Sequence, residues 1–355
     1  MVVAYVFPRD TVLQPGQIDA CSLTRINYAF ANIVDGRMVT GYRFDAENFA
    51  YLSGLKKNNP SLTVLVSVGG WLWSTNFSDV ALTRRSRRIF IQSVMDFLDR
   101  YQLDGLDIDW EYPGMAGAGH PFRPEDKRNF TRLLKGMQTE FKRHAGKTGH
   151  QLFLTFAAGA SQEYIAHTEL GKLQKYVDTV NLMAYDYYVP AMSSLTGHHA
   201  PLYTNPADPA HLSADSSVQS FEKAGVPAGK ILLGVPFYGH AWANVPELNH
   251  GLFQPGQPAP QGYAPYSLLD GTIANSGFTR YWDPASSVPY LYDPAKQTFV
   301  SYEDPESLAL KGKYVLDHRL GGIMFWDYES DPSGELLAAV NQALKRIPAT
   351  RKEVQ

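Results

Sequence analysis

The chain is poor in the residues that mark several common protein classes. Cys21 is the only cysteine in 355 residues, so no intrachain disulfide can form, which removes one common sign of secretion without excluding it. No apolar run approaches the ~20 residues of a membrane span, and hydrophobic residues at 44% with charged residues at 19% describe a soluble globular chain. A net charge of -3 and a pI near 6.4 leave no broad basic field for nucleic acid. The one dense basic cluster, Arg84-Arg85-Ser86-Arg87-Arg88, reads as the solvated face of a helix. Internal repeats and low-complexity tracts are missing as well. Val2-Val3-Ala4-Tyr5-Val6-Phe7 is too short for the apolar region of a signal peptide and is followed at once by Pro8 and Arg9. The chain is thus expected to start at its first strand, with any targeting segment absent from it or the protein retained inside the cell.

Acid is concentrated where it is least expected. Residues 104–111 read Asp-Gly-Leu-Asp-Ile-Asp-Trp-Glu. In a strand, side chains alternate between faces, so Asp107, Asp109 and Glu111 share one face while Leu106, Ile108 and Trp110 share the other. Carboxyls roughly 7 Å apart along a backbone repel each other, and at least one should hold a proton near neutrality. Asp104 has the opposite parity and reads as structural, holding the start of the strand. Trp110 faces outward, toward packing between barrel and helices.

Short β-branched runs alternate with helical patterns, which predicts strand–crossover–strand units and a parallel sheet. Strands are expected near 2–7, 25–32, 62–68, 104–111, 152–158, 177–185, 231–238 and 321–327, the number needed for a closed (β/α)8 TIM barrel. Helical periodicity puts Phe90, Val94, Phe97, Leu98 and Tyr101 on one face, and Phe130, Leu133, Leu134, Met137 and Phe141 on another. Between Tyr238 and Gly321 the spacing is too long for one crossover. A helix is expected at 304–319, and 241–303 reads as a small α+β insertion with a hairpin at 288–292 and 297–302. The barrel is therefore assigned to 1–240 and 304–348, with 349–355 as a polar, frayed tail.

Three solvated carboxylates would be costly on an inward face without a task. A divalent-metal site is a rival, since alternate Asp and Glu oxygens can bind Mg2+ or Ca2+, although the other strand ends offer mainly Ser67, Tyr185, Asp186 and Trp326. General acid catalysis by Glu111, the outermost carboxyl, is the reading favoured by the residues. Trp242 and Trp282 divide evenly between groove wall and local core, Trp73 is placed on an exposed loop where it could extend the groove, and His198-His199 reads as polar surface.

The octet resembles the DxxDxDxE signature of glycoside hydrolase family 18, the chitinase family. Ser67-Val68-Gly69-Gly70 matches the family's SxGG, Met183-Ala184-Tyr185-Asp186 its M-x-Y-D, and Gly321-Gly322-Ile323-Met324-Phe325-Trp326 its eighth-strand segment. Tyr28-Ala29-Phe30 and Gly234-Val235-Pro236-Phe237-Tyr238-Gly239 are similar to its second- and seventh-strand segments. The resemblance runs from about residue 2 to 345, and the segment 241–303 resembles the chitinase insertion domain of the deep-groove subfamily.

The resemblance implies retaining hydrolysis of β-1,4-linked N-acetylglucosamine in chitin or its oligosaccharides. In this family the substrate's own 2-acetamido group replaces the carboxylate nucleophile usual in retaining glycosidases. It implies Glu111 as proton donor, Asp109 as the residue that orients the acetamido group, and Asp107 as its charge-sharing partner, supported by Tyr5 and Ser67. Tyr185 would donate to the acetamido oxygen. Gly70, Trp71, Tyr112, Met183, Asp186, Trp326, Phe30 and Tyr238 would line the sugar subsites. No cofactor, metal, nucleic acid or membrane is implied. A monomer is expected, secreted or extracellular, with an intracellular location left open. Two departures stand out: His240 occupies a position where Arg is common, and the segment Tyr187-Tyr188-Val189-Pro190-Ala191 lacks a Trp often found there. The alternatives are an endo-β-N-acetylglucosaminidase acting on glycoprotein glycans and a non-catalytic chitin-binding lectin. The insertion argues against the first and Glu111 against the second.

Overall fold

The computed structural model describes residues 1–269 and 277–345. In chain order its strands are β1 (Val2–Val6), β2 (Arg25–Val34), β3 (Arg37–Val39), β4 (Thr63–Gly69), β5 (Gly105–Asp109), β6 (Phe153–Gly159), β7 (Thr179–Met183), β8 (Ile231–Pro236), β9 (Tyr238–Ala243), β10 (Gln257–Pro265), β11 (Thr279–Asp283), β12 (Val288–Asp293), β13 (Thr298–Ser301) and β14 (Gly322–Trp326). Parallel pairing runs β1-β14-β8-β7-β6-β5-β4-β2, and β1 pairs with β2, which closes the barrel. All eight expected strands are present with ends moved by one or two residues: the acidic strand is trimmed to end at Asp109, whereas β2 runs on to Val34.

Closure follows from residue choice. Val, Ile, Leu and Phe on the outward faces of the strands meet the apolar stripes of the helices in one continuous layer that includes Phe90, Val94, Phe97, Phe130, Leu133 and Met137. Trp110 belongs to this layer, stacked on Phe77 with ring centroids 5.3 Å apart and edge-on to Phe130. Capping fixes where helices start. Thr83 and Ser86 form a reciprocal capping box ahead of the helix Arg84–Tyr101, and Asp304 with Ser307 does the same for Pro305–Asp317. Arg25, also buried, plugs the barrel interior, donating from Nη1 to Thr179 Oγ1 at 2.9 Å.

A second sheet, antiparallel in the order β10-β9-β13-β12-β11, sits in the long interval between β8 and the last barrel strand. Its first strand opens at Tyr238, ahead of the boundary read at 241, because Tyr238 and Gly239 already pair with Pro265 and Ala264 of β10. The hairpin expected at 288–302 is β12 and β13. Trp242 resolves as core of this sheet, fully buried against Phe299, whereas Trp282 is partly exposed beside Arg280. The tail 349–355 and residues 346–348 lie outside the described residues. Among the described residues no helix is long and apolar enough to cross a membrane.

Candidate active site

The residues singled out from the sequence converge on the C-terminal ends of the barrel strands, the face where barrel enzymes carry their chemistry. Two glycines end β4 with positive φ, Gly69 at 108° and Gly70 at 76°. A Cβ on Gly70 would come within 2.7 Å of the Phe30 ring, and one on Gly69 within 2.2 Å of Asp109 O, so only glycine lets β4 pass this close to β5. Ser74 then secures the end of the acidic strand. Its Oγ accepts from Glu111 N at 2.9 Å and donates to Gly70 O at 2.9 Å.

Ser67, Asp107 and Thr155 are direct register partners across β4, β5 and β6. Asp107 is fully buried and its carboxylate accepts from Tyr5 Oη (2.8 Å), Ser67 Oγ (2.8 Å), Thr155 Oγ1 (2.5 Å) and Asn181 Nδ2 (2.9 Å). Burial raises its pKa, and the hydroxyls of Thr155, Ser67 and Tyr5 pull it back. Asp109 has no such compensation. Its Oδ1 has no hydrogen-bond partner among the described residues, and burial together with the charges of Glu111 and Asp107 pushes it well above the usual range. Glu111, 9% exposed, is pushed up to about 7 by burial, with Tyr112 lowering it and Asp186 raising it. The row therefore holds a poised acid beside a carboxyl that favours its protonated form, coupled so that protons are shared across the set.

A flat aromatic floor lies next to it. Trp326 stacks on Phe30 at 5.5 Å and 19°, with Tyr5 and Phe7 against its other sides. Tyr185 meets Tyr238 edge-on, Met183 packs into the barrel's inner apolar cluster, and Trp71 stands 43% exposed near Tyr112. His120 braces the Trp71 loop through Trp71 O (2.6 Å) and Thr75 Oγ1 (2.8 Å). Asp186 adopts φ 58°, a left-handed conformation that Asp tolerates better than most residues. Its Oδ1 accepts from Tyr238 Oη at 2.6 Å and faces His240 Nε2 at 2.8 Å. Burial alone would raise Asp186, but the two neighbouring imidazoles of His199 and His240 outweigh it and hold the carboxylate well below its usual range.

Two expectations are corrected. His198 and His199 are buried, because the long connection after β7 is covered by the second sheet. His198 Nε2 pairs with Asp283 at 3.0 Å, and His199 N donates to Ser301 Oγ at 2.9 Å. Trp73, expected to be exposed, is half-buried on its loop, packed against Tyr42 with centroids 4.9 Å apart and against the cluster that holds Phe30 and Trp326. Sequence reasoning also missed Thr155, Asn181 and Ser74. Thr155 shares the inward parity of Ser67 and was open to detection through strand register; the others carry no local signal.

Fold and site together define a (β/α)8-barrel enzyme with a carboxyl centre. The chain belongs to the glycosyl hydrolases family 18, whose model matches residues 1–331. Chitinase A1 of Niallia circulans is 39% identical over 314 residues, an alignment that spans 83% of this chain and 45% of that protein. A family 18 N-acetylglucosaminidase from Paenibacillus barengoltzii superposes with a TM-score of 0.89 at 42% identity, covering 96% of this chain and 99% of that one. A class V chitinase from Nicotiana tobaccum in complex with NAG4 superposes at 0.87 with 28% identity, covering 96% and 97%.

Proposed function

We propose that the chain hydrolyses β-1,4 linkages of chitin or chitooligosaccharides with retention of configuration, using the substrate's acetamido group as nucleophile. The observation that carries this reading is Asp109 Oδ1, a buried carboxyl oxygen with no partner among the described residues, placed beside an acid held near neutrality. An acetamide N–H is the group such an oxygen would receive.

In this reading Glu111 gives its proton to the glycosidic oxygen while the acetamido carbonyl oxygen attacks the anomeric carbon and the bond to the leaving sugar breaks. Asp109 turns the acetamido group and offsets the positive charge of the oxazolinium ion, an electrostatic task that a preorganised buried carboxyl performs well. Asp107, held by Tyr5 and Ser67, shares charge with Asp109. Tyr185 donates to the acetamido oxygen. Water then attacks the anomeric carbon and yields its proton to Glu111, which opens the ring and restores the acetamide. Trp326 with Phe30 forms the floor under the cleaved sugar; Gly70, Trp71, Tyr112, Met183, Asp186 and Tyr238 line the neighbouring subsites. The segment 241–303 walls the groove as an insertion module. No metal enters the chemistry, and a polymeric substrate supports action outside the cell.

The test is a time course on N-acetylglucosamine tetramer to hexamer with anomers resolved by NMR. The first product should be the β-anomer; an α-anomeric first product would overturn the mechanism. The 42% identical structure is an N-acetylglucosaminidase, which favours release of single sugars as a second reading. The same time course separates the two, because internal cleavage gives dimers and trimers at the earliest times.

A further inference from the structure

We propose that Asp186, His199 and His240 form a binding site for a divalent transition-metal ion of the zinc type, and that the ion occupies the groove as an inhibitor. One donor atom from each residue lies within 4.8 Å of the other two. Asp186 Oδ1 is 2.8 Å from His240 Nε2 and 3.6 Å from His199 Nδ1. These distances bracket the separation of about 3.3 Å that two ligands keep around a tetrahedral Zn2+ bound at about 2.0 Å.

His199 supplies an independent observation. Its ring is fully buried, yet neither nitrogen has a hydrogen-bond partner among the described residues, and Nδ1 points at the Asp186 carboxylate from beyond hydrogen-bond length. Buried polar atoms are seldom left so. A cation between the two groups would supply the missing partner. His240 carries the second feature of a metal-binding histidine. Behind its ligating edge, Nδ1 faces Gly262 O at 3.3 Å, a backbone acceptor that would hold the Nδ1–H tautomer once Nε2 gives up its 2.8 Å contact with Asp186 Oδ1 and turns its lone pair to an ion. Tyr238 Oη, on the same carboxylate oxygen at 2.6 Å, would orient that ligand. Two imidazoles and one carboxylate suit Zn2+, Cu2+ or Ni2+, not Mg2+ or Ca2+. The site opens to solvent through Asp186, whose side chain is 43% exposed, while the two imidazoles are enclosed.

Binding is tested directly with ZnCl2 and the full chain by isothermal titration calorimetry at pH 7.5. Wild type should show one saturable site. His240→Gln and Asp186→Asn should each weaken it by more than about tenfold, with folding verified by circular dichroism. Asp186 is the exposed ligand, so its variant keeps the test valid if His240→Gln misfolds. His150→Gln, at an exposed histidine beside His144 on the opposite end of the barrel, should bind zinc as wild type does. Absence of saturable binding, or equal binding by wild type and both ligand variants, overturns the proposal. The inhibition rests on the reading of the groove as a sugar site: zinc should raise KM for N-acetylglucosamine oligomers, with EDTA restoring it. A chain that binds zinc through these residues yet hydrolyses no oligomer keeps the metal site and loses the functional reading.

Discussion

Replacing Glu111 by Gln should stabilise the protein at alkaline pH while destroying its acid. The environment that raises the Glu111 pKa from 4.5 to about 7 disfavours the carboxylate in the folded state. The folded chain therefore holds this proton more tightly than the unfolded chain, and between pH 4.5 and 7 the unfolded state binds fewer protons. Stability conferred by the raised pKa is present below the unfolded value and is lost as pH rises through the folded one. The shift corresponds to about 3 kcal/mol at 1.36 kcal/mol per unit. Glutamine keeps the shape and has no charge to bury. Thermal unfolding of wild type and Glu111→Gln should differ little at pH 5. By pH 8 the variant should melt higher by about 6 °C, taking roughly 2 °C per kcal/mol for a chain of this size. The same substitution should cut turnover by about 10²–10⁴, the range of general acid catalysis. A variant that melts at or below wild type at both pH values would refute the argument that Glu111 sits strained by its burial.

Activity that needs protonated Glu111 should fall as pH rises through about 7. Tyr112→Phe, which removes a group that lowers that pKa, should move the alkaline limb of kcat/KM upward by about one unit; a stopped assay across pH 5–9 reads this. Thr155→Val deletes one donor to Asp107 and should cost about 1–3 kcal/mol in urea unfolding, with its inward position preserved. Lys311→Met should cost about 3–5 kcal/mol, because it leaves Glu303 buried without the ammonium that also holds Ala200 O. Denaturation midpoints measure both losses.

What could be read from sequence was what repeats with a short period. Alternation within 104–111 set Asp107, Asp109 and Glu111 on one face and Trp110 on the other, because strand parity is a local property. The barrel strands were legible for the same reason. His198-His199 was misread because its burial comes from β9 and β13, far along the chain, folding over the connection after β7. The partial burial of Trp73 was hidden in the same way: its partner Tyr42 comes from another loop. Thr155 and Asn181 look like ordinary strand residues; only the register against β5 gives Thr155 a carboxylate, and only closure of the barrel brings Asn181 of β7 to the same one.

Asp107 receives side-chain hydrogen bonds from β1, β4, β6 and β7 while belonging to β5. Five strands are thus tied at one carboxylate, which also sets the charge beside Asp109. The barrel cannot open along any of these seams and keep its acid row in order. Heat inactivation and loss of the fold should then be a single event, with no warm, folded and silent form of the protein between them.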